Sequence, residues 1–348
     1  MGFRSANGAA FLYPFIRYQQ KLRDAGLNVR ITTQADAALT ACDLLLVDSK
    51  YFRSTLDRNT VLEKLASFSE CTTLWWCDTT DSTGTLQSYV IDAVSRYYKS
   101  QLLRDRELYT LDLYGDRIAS DYYHRTAFIN DDDPTRVGAP LEAHQLDKLR
   151  TSWNSGLANY SPWGWLFTRA YERTHLRFLL RAPRVWTDPS QNRPISVSGR
   201  FGFTSRKPTL RHQRELVHQV LSRRVSTEKI KRGEFLRELQ RSLAAASPFG
   251  YGEITLRDFE VFINGSLLLK PDMSHLETWP PLFRENETYI PFKWDVSDLD
   301  AVLDWIAGHP SEVQAISSEG QRLYKSYVAE EWGAEEFVKR FASMVSEA

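Results

Sequence analysis

Short, unbroken apolar runs constrain this chain more than any other feature. Asp43–Asp48 reads Asp-Leu-Leu-Leu-Val-Asp, Thr73–Cys77 reads Thr-Leu-Trp-Trp-Cys, and Ser266–Leu269 reads Ser-Leu-Leu-Leu. Runs this short, with no polar alternation, fit strands covered on both faces, the pattern of parallel sheets. Ile195–Gly199 and Thr288–Phe292 are further strand candidates, and Leu27–Ile31 alternates like a strand. Between these lie stretches with apolar residues at helical spacing. Phe15–Ala25 is expected to be helical and to end at Gly26, with Leu62–Phe68, Leu210–Arg224 and Ile230–Leu243 following. Val296–Ile306, Glu312–Val328 and Ala334–Val345 complete the helical set. Strands alternating with helices predict an α/β layer fold. In such folds ligands sit outside the carboxyl ends of the strands, which draws attention to Asp48, Ser49, Lys50, Asp78 and Asp81.

The length of 348 residues accommodates two domains of ordinary size. Thr187–Pro194, with two prolines among polar residues, is the best linker candidate. It divides the chain into residues 1–190, residues 191–330 and a terminal helical stretch, 331–348. The 44 basic and 44 acidic side chains cancel, which argues against nucleic acid as a partner, since phosphate backbones select a basic excess. Cys42, Cys71 and Cys77 form no disulfide framework and no metal-ligand spacing, so a reducing, cytoplasmic setting is expected. Residues 1–8 lack the apolar core of a leader, and no apolar run has the length of a membrane span. The three acids of Asn130–Pro134 are adjacent and do not converge on one point, so no metal site is expected there.

Chemistry concentrates in Ser247–Glu260, which reads Ser-Pro-Phe-Gly-Tyr-Gly-Glu-Ile-Thr-Leu-Arg-Asp-Phe-Glu. Gly250 and Gly252 allow the backbone to approach a bulky group, and a helix start behind them offers unpaired N–H groups that suit phosphate. Helical counting places Glu253, Arg257, Glu260 and Asn264 on one face, with Leu256, Phe259 and Ile263 opposite. The same Arg/Glu spacing is also that of a solvated helix face. Farther along, Gly199-Arg200-Phe201 follows a strand, and Arg206, Lys207, Arg211 and Arg214 come close behind. Lys270 and His275 follow the next buried strand and return to the same sheet edge. Trp153–Leu157 and Ser161–Trp165 are aromatic-rich and suit either core packing between loops or a sugar-stacking acceptor surface.

With its glycine loop and an Arg three residues before a Glu, Ser247–Glu260 resembles the donor-site motif of GT-B glycosyltransferases. The spore-maturation-type, capsule-associated and exostosin-like branches are the most similar. The resemblance covers roughly residues 195–340, and the first half only through Asp78–Ser82, Tyr97–Asp105 and Trp153–Leu157. It implies two Rossmann-like domains facing a central cleft, with a nucleoside-diphosphate sugar on the second. Arg200 and Arg211 would meet the diphosphate. Gly250, Gly252, Glu253, Arg257 and Glu260 would surround it, Glu260 holding ribose hydroxyls, and Lys270 and His275 would touch phosphate, ribose or base. No cofactor or resident metal is implied. The acceptor would be a glycan, glycolipid or glycoprotein, and peripheral contact with a membrane stays open.

The sequence departs from the retaining pattern of two Glu residues separated by seven others. Glu253 and Glu260 are separated by six, and Gly252 stands where the first would be. This tilts the expectation toward inversion, with Asp78 or Asp81 as general base and His124 in reserve. A binding module without catalysis, or an epimerase or phosphorylase on the same scaffold, are the alternatives.

Overall fold

The computed structural model describes residues 6–32, 39, 41–52, 57–134 and 136–347. Met1–Ser5, on which the leader expectation partly rests, lie outside the described residues.

Two parallel four-stranded sheets organise the chain. The first contains β1 (Leu44–Asp48), β2 (Thr73–Asp78), β3 (Arg96–Lys99) and β5 (Leu149–Thr151), in the order β1-β2-β3-β5. The second contains β6 (Ile195–Ser198), β7 (Ser242–Ala246), β8 (Leu267–Pro271) and β10 (Tyr289–Phe292), in the order β10-β8-β7-β6. Both are wound in one direction, so neither contains an internal reversal of strand order. The crevice therefore lies between the carboxyl ends of the two sheets. This is the α/β, two-halved arrangement that the resemblance implied.

The apolar runs form the strands they predict. β7 and β8 are buried along their whole length. Strand β4 (Gln101–Leu103) pairs antiparallel with β9 (Leu276–Thr278), a ribbon that ties the first half to the second.

Three expectations shift. Helix α1 (Ala6–Arg17) begins earlier and runs through Pro14, and α2 (Gln19–Asp24) follows after a break at Tyr18. The broken hydrogen-bond ladder at Pro14 is offset by packing: the Phe11 ring stacks on Trp153 with centroids 4.7 Å apart. Leu27–Ile31 forms no strand. The expected helix Ile230–Leu243 stops at Leu239, as α7 (Arg232–Leu239), because Ser242–Ala246 is taken up as the strand between β6 and β8.

Helix starts are fixed by side chains. In α6 (Pro208–Leu221), proline opens the helix, and Asp131 accepts hydrogen bonds from the Thr209 N–H (2.8 Å) and hydroxyl (3.0 Å). One acid of the Asn130–Pro134 run thus caps a helix of the other half, using the orphan donors of a helix N-terminus. In α8 (Leu256–Ile263), Thr255 and Asp258 form a reciprocal capping box.

The last helix, α11 (Glu331–Ser346), returns to the first half. Phe337 and Phe341 pack edge-on against Phe15 and Trp153, and Arg340 donates to the carbonyls of Thr151 and Ser152. Each such buried ring contributes about 2 kcal/mol relative to exposure. One apolar cluster runs continuously from Phe11 and Trp153 through Phe259 and Tyr324 to Phe337, so the halves share a core. Among the described residues, no helix is long and apolar enough to cross a membrane.

Candidate functional site

A cleft of about 550 Å³ opens between the carboxyl ends of the two sheets. Its first wall follows β2, β3 and β5: Thr79 and Asp81, Ser100 and Gln101, then Trp153 to Ser155, with Asn7 and Phe11 added from α1. The facing wall follows β6 and β7: Phe201 and Gly202, then the Ser247–Glu260 stretch, with Arg214 from α6 and Arg232 from α7.

The glycine loop does two jobs. Gly250 and Gly252 line the cleft and close a tight turn, with the Gly250 N–H donating to the Gly252 carbonyl (3.0 Å). The loop is also gripped by the first half. Arg117 donates to the Gly250 carbonyl (3.2 Å) and lies over the Tyr251 ring. A Cβ on Gly252 would come within 3.0 Å of the Ser82 nitrogen and 3.2 Å of the Asp81 Cβ. Gly252 is therefore small because the two halves touch there, a constraint separate from ligand approach.

Glu253 lies ahead of the helix, not on its face. Its Oε2 accepts from the Thr83 N–H (2.9 Å) and the Gln101 amide (3.1 Å), both in the first half, and its Oε1 is buried without a partner. Helical counting placed it with Arg257 and Glu260, but the helix begins only at Leu256. Asn264 likewise turns inward, its amide donating to the Glu260 carbonyl and its oxygen accepting from Gln240. Leu256, expected on the buried side, is half exposed at the cleft, while Phe259 and Ile263 are buried.

Arg257 and Glu260 do face the cleft together. Burial pushes the Arg257 guanidinium down to about 10, against the opposing pull of Glu260, and its plane lies over Phe235. Burial also raises the Glu260 carboxyl, partly offset by Arg232 and Arg257, and Arg232 pairs with it at 2.7 Å. Arg214 donates to the Phe249 carbonyl at 2.7 Å and to the Gly202 carbonyl at 2.5 Å. Three guanidiniums and one carboxylate thus line one wall, beside the start of α8.

The other basic candidates lie elsewhere. Arg200 makes a two-pronged ion pair with Glu238 and donates to Ser226 and the Glu228 carbonyl. Arg211 pairs with Glu215 one turn on, with both side chains partly solvated. Neither lines the cleft; Arg214, three residues beyond Arg211, does. No spacing rule separates Arg214 from its neighbours, because the selection is made by how α6 packs on the loop. Arg232 was missed for the same reason: it opens a helix distant in sequence.

Lys270 is fully buried, with Nζ 3.0 Å from Asp258 Oδ2 and within 3.3 Å of the Ser247 carbonyl. Asp258 in turn accepts from Ser247 (2.5 Å) and Thr255 (2.9 Å). The lysine therefore anchors the helix cap from behind and does not reach the cleft. His275 sits between Phe249 and Trp294, off the cleft wall, with both ring nitrogens buried and unpartnered. Desolvation lowers its pKa, opposed by the charges of Glu253 and Asp272.

The two candidate bases differ sharply. Asp78 is buried and saturated: Oδ2 accepts from Tyr97 (2.6 Å) and Lys99 (3.0 Å), and Oδ1 from the Thr80 N–H (2.8 Å) and hydroxyl (2.7 Å). Four donors fill the acceptor capacity of a carboxylate. Asp81 is exposed at the cleft, with Oδ1 accepting from Asn7 at 2.7 Å. His124 stacks on Tyr114 at 3.9 Å, away from the cleft-lining residues.

No family model and no curated protein matches the sequence. Solved structures with a similar course include Anabaena HepE in complex with UDP-glucose, at 8% identity and a TM-score of 0.42, covering 99% of this chain and 96% of that one. The pneumococcal O-GlcNAc transferase GtfA, in complex with UDP and GlcNAc, is 13% identical with a TM-score of 0.37, covering 89% and 59%. An alpha-glucosyltransferase in complex with UDP-glucose and DNA containing an abasic site is 10% identical with a TM-score of 0.35, covering 93% and 83%.

Proposed function

We propose that this protein is a glycosyltransferase that moves a sugar from a nucleoside-diphosphate donor to a glycan, glycolipid or glycoprotein acceptor. The observation that carries this reading is the pairing of walls across the cleft. Arg214, Arg232, Arg257 and the start of α8 stand on one side, and the exposed carboxylate of Asp81 on the other.

In this reading the donor diphosphate lies against the three guanidiniums and the start of α8. As the bond from the anomeric carbon to the diphosphate breaks, the departing nucleoside diphosphate gains charge. Guanidiniums held in a partly dry cleft offset that charge. They supply what a bound metal would otherwise supply. Glu260, fixed by Arg232, accepts hydrogen bonds from ribose hydroxyls. Asp81 takes the proton of the acceptor hydroxyl as its oxygen attacks the anomeric carbon, which gives inversion. Phe11 and Trp153, stacked on each other and buried, back the acceptor side of the cleft from the core.

Lys270, Glu253 and Asp78 support this arrangement without touching donor or acceptor. Arg200 and Arg211 have no part in it.

The test is incubation with a panel of nucleotide sugars, with and without sugar acceptors, following release of nucleoside diphosphate. Turnover of one donor, lost in Asp81→Asn, is the expected result. Tight donor binding without turnover under any acceptor would instead favour a sugar-nucleotide-binding module. Absence of nucleoside-diphosphate binding altogether would overturn both.

A further inference from the structure

The stretch from Pro162 to Val185 leaves uncovered what the rest of the chain buries. Among the described residues, eleven large hydrophobic side chains are exposed, and six fall here: Trp163, Trp165, Leu166, Leu176, Phe178 and Val185. Helix α5 (Gly164–Thr174) buries only Gly164. A helix in water draws most of its stability from packing an apolar face, and this one presents Trp165 and Leu166 outward beside Arg169 and Arg173. A concentration of exposed apolar side chains of this kind marks an interaction surface.

Its charge is equally distinctive. The stretch carries five arginines, at 169, 173, 177, 181 and 184, against the single acid Glu172, in a chain of zero net charge. Arg169 lies over the Trp165 ring at 5.3 Å and Arg181 over the Phe167 ring at 4.1 Å.

We propose that this face docks on an anionic lipid bilayer. The rings and aliphatic side chains enter the boundary between headgroups and acyl chains, and the arginines pair with lipid phosphates. Indoles and guanidiniums suit that interface, and a basic amphipathic face adds electrostatic attraction to apolar burial. A second copy of the chain fits poorly, because a two-fold contact would set the arginines of one patch against those of the other. Nucleic acid fits less well than lipid, because Leu166, Leu176 and Val185 offer no ring on which a base could stack.

The face is firmly attached to the cleft. Leu180 packs with Tyr13 and Ile16 of α1, and the Arg181 carbonyl accepts from Tyr13 (2.9 Å) and Asn159 (2.7 Å). The same helix lines the cleft with Asn7 and Phe11. If the glycosyltransferase reading holds, docking brings the acceptor side of the cleft to a lipid-borne acceptor.

The experiment is co-sedimentation of the full chain with phosphatidylcholine vesicles, with and without phosphatidylglycerol, in the absence of any sugar nucleotide. Two variants are compared, Trp165→Ser/Phe178→Ser and Arg173→Glu/Arg177→Glu. Binding is expected only to the anionic vesicles and at least about tenfold weaker in each variant. Quenching of tryptophan fluorescence by brominated lipid should fall in the first. Melting temperature and nucleoside-diphosphate affinity should not change, since the substituted side chains are exposed and off the cleft.

Equal binding to neutral vesicles, no binding, or unaffected variants would overturn the proposal. So would a solution dimer that the first variant dissociates, or a single-stranded oligonucleotide bound more tightly than vesicles and lost in the same variants. Vesicle binding that fails while nucleoside-diphosphate binding persists would sink this proposal and leave the donor site standing.

Discussion

Asp78 and Asp81 are three residues apart and both border the cleft, so replacing each separates a structural carboxylate from the proposed base. In Asp78→Ala, the Lys99 ammonium is left buried with no counter-charge: both side chains of the pair are 0% exposed, and Tyr97 and Thr80 lose their acceptor as well. Breaking a buried ion pair by removing one partner costs about 3–5 kcal/mol, about a fifth or more of the stability of an ordinary domain. Asp78→Asn should fare little better, because an amide nitrogen turned toward Lys99 and Tyr97 sets donor against donor. Asp81→Asn loses little, since its Asn7 contact is exposed and worth about 1 kcal/mol at most. The assay is urea denaturation together with hydrogen exchange of peptides spanning residues 73–99, so that opening is localised to the first sheet. With a slope of about 2–3 kcal/mol per molar urea, the Asp78→Ala midpoint should fall by more than about 1 M. Nucleoside-diphosphate release should fall about 10²–10⁴-fold in Asp81→Asn with an unchanged midpoint. A wild-type midpoint in Asp78→Ala with no product released, while Asp81→Asn remains active, would reverse the two assignments.

Gly252→Ala should destabilise by about 1–3 kcal/mol, because its Cβ meets the backbone of Ser82, whereas Gly250→Ala, whose nearest neighbour would be 3.5 Å away, should be nearly neutral in calorimetry. Arg257→Ala should weaken nucleoside-diphosphate binding by about 10–100-fold in titration calorimetry through loss of a charged hydrogen bond, while Arg200→Ala should leave affinity unchanged. His275 has a folded-state pKa below the ordinary 6.5, so the unfolded chain binds the extra proton first and stability falls as pH drops from 6.5 toward the folded value. That fall should flatten in His275→Gln, read from denaturation midpoints between about pH 7 and pH 5.

Strand positions were the most legible part of the fold, because a strand covered on both faces must be apolar at every position. Asp43–Asp48, Thr73–Cys77 and Ser266–Leu269 could be read without tertiary knowledge. The start of α1 and the end of α7 could not: Pro14 is held inside a helix by the packing of Phe11 on Trp153, and the apolar run Leu243–Ala246 is claimed by neighbouring strands. Within the cleft, Gly250 and Asp81 were legible because they follow strand ends, and Arg257 and Glu260 because they are three residues apart in the helix behind the glycine loop. Arg214 and Arg232 were not, because a guanidinium on a helix gives no local sign of which cavity its tip will reach.

The residue pattern by itself marked most of the parallel strands and the α/β class and drew attention to the strands' carboxyl ends, since periodicity and apolar run length are local properties of the chain. Only the tertiary structure decided which charges are free to act. Asp78, Glu253 and Lys270 look like ligands in sequence, but Asp78 and Lys270 are each paired with an opposite charge, 21 and 12 residues away, and Glu253 is turned into the first half by the Thr83 N–H, 170 residues away. Burial and pairing, which set whether a charge can meet a substrate, arise from contacts between distant segments and leave no trace in spacing.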